Sequence, residues 1–297
     1  MTRTNPTRPT RLRMPDPVLS ALACPVCGNA LALGERGLSC AHGHTFDIAR
    51  EGYAALLTGS TPPGTGDSKE MITDRLRFQQ AGHYDPIGRA LAQILDQHLE
   101  EPTPLVVDIG GGTGHYLAQV LKALPHAAGL TVDASKWAAR RAARTHERGG
   151  AVTADVWQGL PLRKASVDVL LNVFAPRHAE EFHRVLRPDG VLAVVVPAAD
   201  HLIELRGPLG LLEVDPYKDT RLAESLHDRF TPADLTELHL PLHLSHEDIT
   251  TVVGMGPSAH HLTPETLRAR LADLPDPAPA TASVRLYTYR PHRPISA

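Results

Sequence analysis

Cysteine is scarce in this chain of 297 residues, which has only three, and aromatic residues make up 4% of it. The low aromatic content predicts a core built mainly from Leu, Val and Ala. No apolar run reaches the ~18 residues of a membrane span, and the basic, Pro-rich start lacks the apolar segment of a secretory signal. We therefore expect a cytoplasmic protein, in which clustered cysteines bind metal rather than form disulfides.

A strong excess of one charge is also missing. The formal net charge of −3 argues against nucleic-acid binding over the whole surface, although it allows a local basic site. The first 50 residues contain six arginines and three acidic residues, so such a site is expected there. Hydrophobic residues make up 42% of the chain and charged residues 21%, which is enough apolar material for a large core.

The composition divides the chain into four segments. Residues 1–18, rich in Thr, Pro and Arg, predict a disordered basic extension, and residues 19–60 contain the cysteines. A Gly/Pro/Thr stretch then marks a boundary, and residues 61–100 predict a linker of two helices. From residue 101 to 297, apolar β-branched runs alternate with helical patterns. This alternation predicts an α/β domain with a mostly parallel sheet covered on both faces.

All three cysteines lie in one stretch of 21 residues, "CPVCGNALALGERGLSCAHGH". Cys24 and Cys27 form C-x2-C, and Cys40 is followed closely by His42 and His44, either of which suits as a fourth ligand. Three thiolates and one imidazole are the donor set of a closed, structural zinc site. Such a module fused to a large domain suggests that the module recognises a binding partner. The basic residues around it favour the binding of phosphate groups.

A glycine-rich turn follows the first strand of the α/β domain, in "VVDIGGGTGHY". Gly110, Gly112 and Gly114 allow positive φ and a close approach of ligand to backbone, and the next helix offers free N–H groups. The spacing G-x-G-x-G after Asp108 differs from the G-x-G-x-x-G of dinucleotide-binding folds. An acid is unfavourable beside a pyrophosphate but suits the ammonium group of S-adenosylmethionine.

Two more acids follow the next two strands. Asp133 lies 25 residues after Asp108, where a carboxylate can accept both ribose hydroxyls. Asp155 follows a short strand and is expected to face the adenine amino group. Because the carboxyl ends of parallel strands share one edge of the sheet, the three acids predict a cofactor site there. An NAD-binding domain is the alternative.

The motifs "VDIGGGTG", "VDAS", "ADVWQGLPL", "VLLNVFAP" and "RVLRPDG" resemble the ordered motifs of class I, Rossmann-like S-adenosylmethionine-dependent methyltransferases. With "CPVCGNAL", "CAHGHTFDIAREGYAALL", "GDSKEMITDRLRFQQAGHYDPI" and "DHLIELR" added, the chain resembles the bacterial 23S rRNA (guanine-N1)-methyltransferases, and in particular their tylosin- and macrolide-resistance branch. The resemblance extends from about residue 22 to the C-terminus. It implies a class I methyltransferase fold with a small N-terminal zinc-binding domain that recognises RNA.

The resemblance also implies site residues and a reaction. It selects His44 over His42 as the fourth ligand of one structural Zn²⁺. It places contacts with S-adenosylmethionine at Tyr84, Gly112, Thr113 and His201. The reaction that it implies is methyl transfer from S-adenosylmethionine to N1 of a guanine in a 23S rRNA hairpin loop beside the peptide exit tunnel, with macrolide resistance as the result. A homodimer around one hairpin is expected by the same analogy.

The loop "NVFAP" is the expected grip on the target base. In nucleic-acid methyltransferases of this fold, the corresponding position holds the base, so we expect Asn172 to bind guanine and Phe174 or Pro176 to stack on it. A place for Phe174 in the core is the alternative. Transfer from a sulfonium mainly requires alignment of the reacting atoms. The N1 proton also requires a base, and the sequence singles out no residue for that role.

Two other functions compete with this one. A small-molecule methyltransferase would use the zinc module only as a structural lid. A non-catalytic zinc-ribbon protein would bind RNA and retain a relict cofactor fold, which the intact glycine turn and acids disfavour.

Overall fold

The computed structural model describes residues 11–35, 37–59, 66–99, 102–213, 215 and 217–292. The helices within these ranges are α1 (Asp16–Ala21), α2 (Lys69–Gln80), α3 (Asp85–His98), α4 (His115–Ala123), α5 (Lys136–Ala142), α6 (Ala179–Val185), α7 (Ile203–Leu209), α8 (Lys218–Leu226), α9 (His246–Gly254) and α10 (Pro264–Leu271). The strands are β1 (Leu31–Gly34), β2 (Gly37–Cys40), β3 (Thr45–Phe46), β4 (Ala54–Ala55), β5 (Leu105–Ile109), β6 (Ala128–Asp133), β7 (Gly149–Thr153), β8 (Val167–Val173), β9 (Leu186–Pro197), β10 (Phe230–Leu244) and β11 (Ala278–Pro291).

Eight strands form one sheet in the order β10-β11-β9-β8-β5-β6-β7-β4. The six strands from β9 to β4 run parallel, whereas β11 is antiparallel to β9 and β10 is antiparallel to β11. The chain order reverses at β5, which lies between β6 and β8. This switch point leaves a crevice at the carboxyl ends of the strands, where open α/β sheets bind ligands. The predicted α/β fold is thus confirmed.

The central strands explain why the sheet is covered on both faces. Every residue of β5 and of β8 is buried, as expected for continuous apolar runs in a parallel sheet. Val169 belongs to one hydrophobic cluster, together with residues of α3 and α4, and its neighbour Leu170 belongs to another, together with residues of α1 and α6. Within the described ranges, no helix has the length and hydropathy needed to cross a membrane.

The zinc-module segment is joined to the large sheet. Strands β1, β2 and β3 form a small antiparallel sheet of their own. The chain then contributes β4 to the edge of the large sheet, where Ala54 pairs with Val152 of β7. Cys24 and Cys40 lie in the same hydrophobic cluster as Leu170 of β8. The cysteine-bearing segment therefore packs directly on the α/β body.

The first segment boundary differs from the predicted one. Of the extension 1–18, residues 1–10 lie outside the described part of the chain, but α1 begins at Asp16 and Val18 is fully buried. A proline in the first turn favours a helix start, because its φ is already helical and its missing N–H is not needed there. The predicted disorder therefore does not extend to Val18.

The predicted helical linker, residues 61–100, also differs from what the structure shows. Its two helices are present as α2 and α3. However, Ile87, Leu91 and Leu95 of α3 are fully buried in the main core. Their helical spacing gives α3 one wholly apolar face, and burial of such a face joins a helix to a core. Helix α3 is therefore part of the α/β body.

Candidate functional site

Cys24, Cys27, Cys40 and His44 bring four donor atoms within 4.8 Å of one another. The Sγ atoms of Cys27 and Cys40 are 3.7 Å apart, and Nδ1 of His44 lies 3.6 Å from Sγ of Cys24 and 3.4 Å from Sγ of Cys40. Zn–S bonds of ~2.3 Å and Zn–N bonds of ~2.0 Å give a tetrahedron with edges of roughly 3.5–3.8 Å. The four side chains thus fit one structural zinc ion and leave no position for a substrate.

The structure distinguishes between the two candidate histidines. His42 is exposed, and its Nδ1 accepts a hydrogen bond from the Asn29 amide at 3.3 Å, whereas His44 faces the thiols. The backbone N–H of Asn29 is the largest of the interactions that lower the pKa of the Cys27 thiol to about 6. A lowered pKa favours the thiolate, which is the form that binds metal.

The glycine turn between β5 and α4 adopts a backbone suited to glycine. Gly110, Gly112 and Gly114 have φ values of +67°, +56° and +79°, in the left-handed region that other residues rarely adopt. A Cβ on Gly110 would lie 2.6 Å from the Cβ of Ala175. The turn therefore packs tightly against the loop that follows β8, and a side chain at Gly110 would displace that loop.

Asp108 lies directly below this turn, and a Cβ on Gly111 would come within 2.5 Å of its Oδ2. Its side chain is fully buried, and neither carboxylate oxygen has a hydrogen-bond partner. Burial, with the nearby charge of Asp133, raises the pKa of Asp108 to about 7. A buried carboxylate without a partner is costly. This orphaned group fits a ligand that supplies an ammonium ion.

The other two predicted acids are held by backbone N–H groups. Asp133, at the end of β6, accepts hydrogen bonds from Gly112 at 2.9 Å and from Ser135 at 2.7 Å. Asp155 accepts one from Trp157 at 3.0 Å. The structure therefore brings Asp108 and Asp133 to the glycine turn, whereas Asp155 lies beyond the neighbouring strand β7.

A cavity of about 720 Å³ opens beside the glycine turn, within the size range of small-molecule sites. Gly110 and Gly111 form part of its wall, and so do residues of α2, of the loop after β8 and of the segment around α7. Side chains that line it include Met71, Arg75, Gln79, Tyr84, Tyr116, Phe174, His201 and Met255. The site is thus assembled from segments far apart in the sequence.

Tyr84 and His201, which the resemblance assigned to the cofactor, contact each other in this cavity. The Tyr84 hydroxyl lies 3.1 Å from Nε2 of His201, and Nδ1 of His201 lies 3.0 Å from the carbonyl oxygen of Ser283. Because a carbonyl only accepts, Nδ1 carries the proton, and Nε2 accepts from Tyr84. Burial lowers the pKa of His201 to about 4. A neutral imidazole therefore holds the tyrosine in place.

The "NVFAP" loop contains one exposed aromatic residue and one buried amide. Phe174 is 41% exposed, lines the cavity and has a φ of +54°, so it is not a core residue. Asn172 is fully buried, and its Nδ2 donates to the carbonyl oxygen of Pro176 at 2.9 Å. Pro176 itself is exposed. The loop thus presents Phe174 to the cavity, while Asn172 holds the loop from below.

Comparison with known proteins identifies the family. A family profile described as "RlmA, N-terminal", a zinc ribbon, matches residues 22–59, and one described as "Methyltransferase domain" matches residues 106–190. The chain is 51% identical over 294 residues to a Micromonospora griseorubida protein named 23S rRNA (guanine-N(1)-)-methyltransferase, which covers 93% of this chain and 99% of that protein. The chain belongs to the 23S rRNA (guanine-N1)-methyltransferase family.

Two further members of the family match over most of the chain. Identity is 45% over 275 residues to the 23S rRNA (guanine(748)-N(1))-methyltransferase of Streptomyces fradiae, covering 92% of this chain and 98% of that one. Identity is 32% over 219 residues to YxjB of Bacillus subtilis, whose name gives a 23S rRNA (guanine-N(1)-)-methyltransferase without a nucleotide number. This match covers 71% of this chain and 76% of that one. As a family member, the chain is an S-adenosylmethionine-dependent methyltransferase with a structural zinc ion in its ribbon.

Sequence analysis missed the contribution of α2 to the cavity beside the glycine turn. Arg75 and Gln79 line the cavity, and Gln79 accepts a hydrogen bond at 2.5 Å from the hydroxyl of Thr113, one of the predicted contacts. The signal was the spacing of four residues between Arg75 and Gln79, which puts them on one helix face. Tyr116 was also missed, although it follows the glycine turn directly.

Proposed function

We propose that this enzyme methylates N1 of a guanine in a hairpin loop of 23S rRNA, beside the peptide exit tunnel. The observation that supports it most is the similarity to the Streptomyces fradiae enzyme over nearly the whole of both chains, zinc ribbon included. That enzyme is named for guanine 748, and the equivalent nucleotide is the target expected here. A methyl group at this place would lower the binding of tylosin-type macrolides, so resistance is the proposed outcome.

The buried acid and the glycine turn would hold the cofactor. S-adenosylmethionine supplies a methyl group on a positively charged sulfur, which is a good leaving group. Asp108 would bind the ammonium group, which relieves the cost of its own burial. The predicted roles of Asp133 and Asp155 at the ribose and the adenine complete the site. The protein's main contribution is then alignment of the reacting atoms.

The aromatic side chains of the cavity would receive the target base. Phe174 lies with its ring centroid 6.2 Å from that of Tyr84 and 6.4 Å from that of Tyr116. Guanine N1 is inside a Watson–Crick pair in a duplex, so the base must be unpaired and turned out of the stack. Phe174 or Pro176, both exposed, would stack on such a base. The amide of Asn172, whose Oδ1 has no hydrogen-bond partner, would bind the guanine.

The zinc ribbon would position the RNA. A groove of about 570 Å³ lies between the ribbon and the α/β body, and Val26, Arg163 and Lys164 are among the residues that line it. Val26 is 57% exposed next to a zinc ligand, and both basic residues are exposed. Cationic side chains bind phosphate, and an exposed apolar residue packs on bases. A homodimer with two ribbons around one hairpin belongs to the same proposal, as does action in the cytoplasm.

Methyl transfer to defined RNA tests the proposal. We would incubate the protein with tritiated S-adenosylmethionine and unmodified 23S rRNA, and locate the label by fragment mass spectrometry. One labelled guanine is expected, with the methyl group on N1, and Asp108→Asn is expected to abolish the label. The variant Asp96→Asn, at an exposed position on α3, is the matched control. If no rRNA fragment carries label while small metabolites do, the enzyme is a small-molecule methyltransferase instead.

A further inference from the structure

Arg75 lies on the face of α2 that covers the glycine turn. Met71, Arg75 and Gln79 follow one another at intervals of four residues and all line the cavity. Gln79 fastens this face to the turn through its hydrogen bond with Thr113. The Nη1 atom of Arg75 lies 3.1 Å from the place that a Cβ on Gly112 would occupy. The guanidinium group is therefore directly above the turn.

The contacts that hold the guanidinium group, with Asp67 and with Met255, are both made by its Nη2 atom. Its Nη2 forms an ion pair with Oδ2 of Asp67 at 2.5 Å and donates to the carbonyl oxygen of Met255 at 3.1 Å. Its Nε is buried and has no hydrogen-bond partner. A buried donor of a charged group that lacks a hydrogen-bond partner costs more free energy than an exposed donor does. The ion pair with Asp67 thus orients a guanidinium that has an unused donor, and its Nη1 lies beside Gly112 of the turn.

One acidic and one basic side chain lie against adjacent glycines of the turn. Asp108 touches the turn at Gly111, and Arg75 touches it at the next residue, Gly112. Two other basic side chains line the cavity in the described part of the chain, Arg206 and Lys218. Arg206 is engaged by the carbonyl oxygen of His201, and Lys218 begins α8. Arg75 is therefore the cation at the glycine turn.

We infer that Arg75 binds the carboxylate of the methionine part of S-adenosylmethionine. In an α-amino acid the ammonium and the carboxylate are attached to one carbon, so a site for both needs an anion and a cation close together. Asp108 and Arg75, at adjacent glycines, meet this requirement. A guanidinium fork matches the planar carboxylate better than a single ammonium group does. The inference rests on the cofactor part of the proposed function and not on the RNA target.

Calorimetric titration with two ligands tests this role. S-adenosylmethionine and its decarboxylated analogue differ only in the carboxylate, so the ratio of their affinities reports the contact. We expect the wild type to prefer S-adenosylmethionine by about 10- to 100-fold, as for a hydrogen-bonded charge pair. In Arg75→Gln this preference should disappear, with the affinity for the decarboxylated analogue unchanged. Arg77→Gln removes the same charge from an exposed position on the same helix and should keep the preference.

The outcomes separate a binding role from a structural one. Equal loss of affinity for both ligands in Arg75→Gln would show that Arg75 only anchors α2, and would overturn the inference. A wild type without preference would overturn it too, whatever the fold of the variant. Arg75→Lys, which keeps the charge without the fork, is expected to retain part of the preference. If the wild type bound neither ligand, the proposed function itself would fail, which is a different result.

Discussion

The zinc cluster and the cavity beside the glycine turn are built in opposite ways. The cluster takes all of its donors from one stretch of 21 residues, and two short turns bring them together. The cavity takes its walls from segments as distant as Met71 and Met255. Spacing alone therefore predicts the three cysteine ligands of the first site, whereas the second site depends on how the whole fold packs. Mutations should reveal this difference as well. When one zinc ligand is lost, few donors are at hand to replace it. When one cavity side chain is lost, the other contacts of the cavity remain.

The largest effect is expected at the cluster, where two nearby histidines provide a matched pair. His44→Ala should lose the zinc ion, since structural sites of this type contribute on the order of 10–16 kcal/mol of apparent binding free energy. His42→Ala should keep one zinc ion per chain. Elemental analysis of the purified variants measures this directly. Zinc retained in His44→Ala and lost in His42→Ala would reverse the assignment of the fourth ligand.

A smaller effect, on the order of a few kcal/mol, is expected from the titration of Asp108. Its pKa in the folded protein is raised by burial from 3.8 to about 7. Below pH 3.8 the group is protonated in the folded and the unfolded chain, and its stabilising contribution is fully present. As the pH rises to about 7, Asp108 loses its proton in the unfolded chain before it does so in the folded protein. Its contribution to the free energy of unfolding is therefore lost.

Thermal melts of the cofactor-free protein between pH 4 and pH 8 measure this slope. Asp108→Asn lacks the titrating group, so its melting temperature relative to that of the wild type should rise across this window. Addition of S-adenosylhomocysteine, whose ammonium pairs with the ionised carboxylate, should remove the slope in the wild type. Parallel profiles for the two cofactor-free proteins would show that Asp108 titrates normally.

The smallest effect is expected at the rim of the cavity. Phe174→Ala should lower kcat/KM for the RNA by about 10-fold, because the stacking of a base on an aromatic ring contributes ~1–3 kcal/mol. Phe174→Tyr keeps the ring and should stay close to the wild type. Calorimetry with S-adenosylhomocysteine is expected to show unchanged affinity in both variants. A loss of cofactor binding in Phe174→Ala would assign this side chain to the cofactor instead of the guanine.

The sequence predicted most of what depends on local spacing. The alternation of strands and helices, the glycine turn and the three cysteine ligands of the zinc cluster follow from short patterns. The preference for His44 over His42 came from the resemblance and agrees with the geometry. The position of Asp108 at a strand end was correct, because the carboxyl ends of parallel strands meet at one edge.

What the sequence did not predict depends on contacts between distant segments. Helix α2 was placed in a linker, since nothing near Arg75 indicates that its helix lies over a turn more than 30 residues away. The contact of Asn172 with the base stays a prediction, but its full burial was not predicted, because it depends on the packing of β8 between β5 and β9. The antiparallel pair of β10 and β11 was not predicted either, and β11 supplies Ser283, which orients His201.

The position of β4 affects where the zinc ribbon can be joined to another methyltransferase in a chimera. Ala54 and Ala55 extend the sheet beside β7, and Leu56, next along the chain, is 1% exposed. A chimera joined before Ala54 would leave the recipient's own edge strand in place and transplant the metal-binding loops alone. A junction after Leu56 would exchange a strand of the catalytic body as well. Swaps of target preference between relatives should therefore succeed or fail according to which side of this strand is cut.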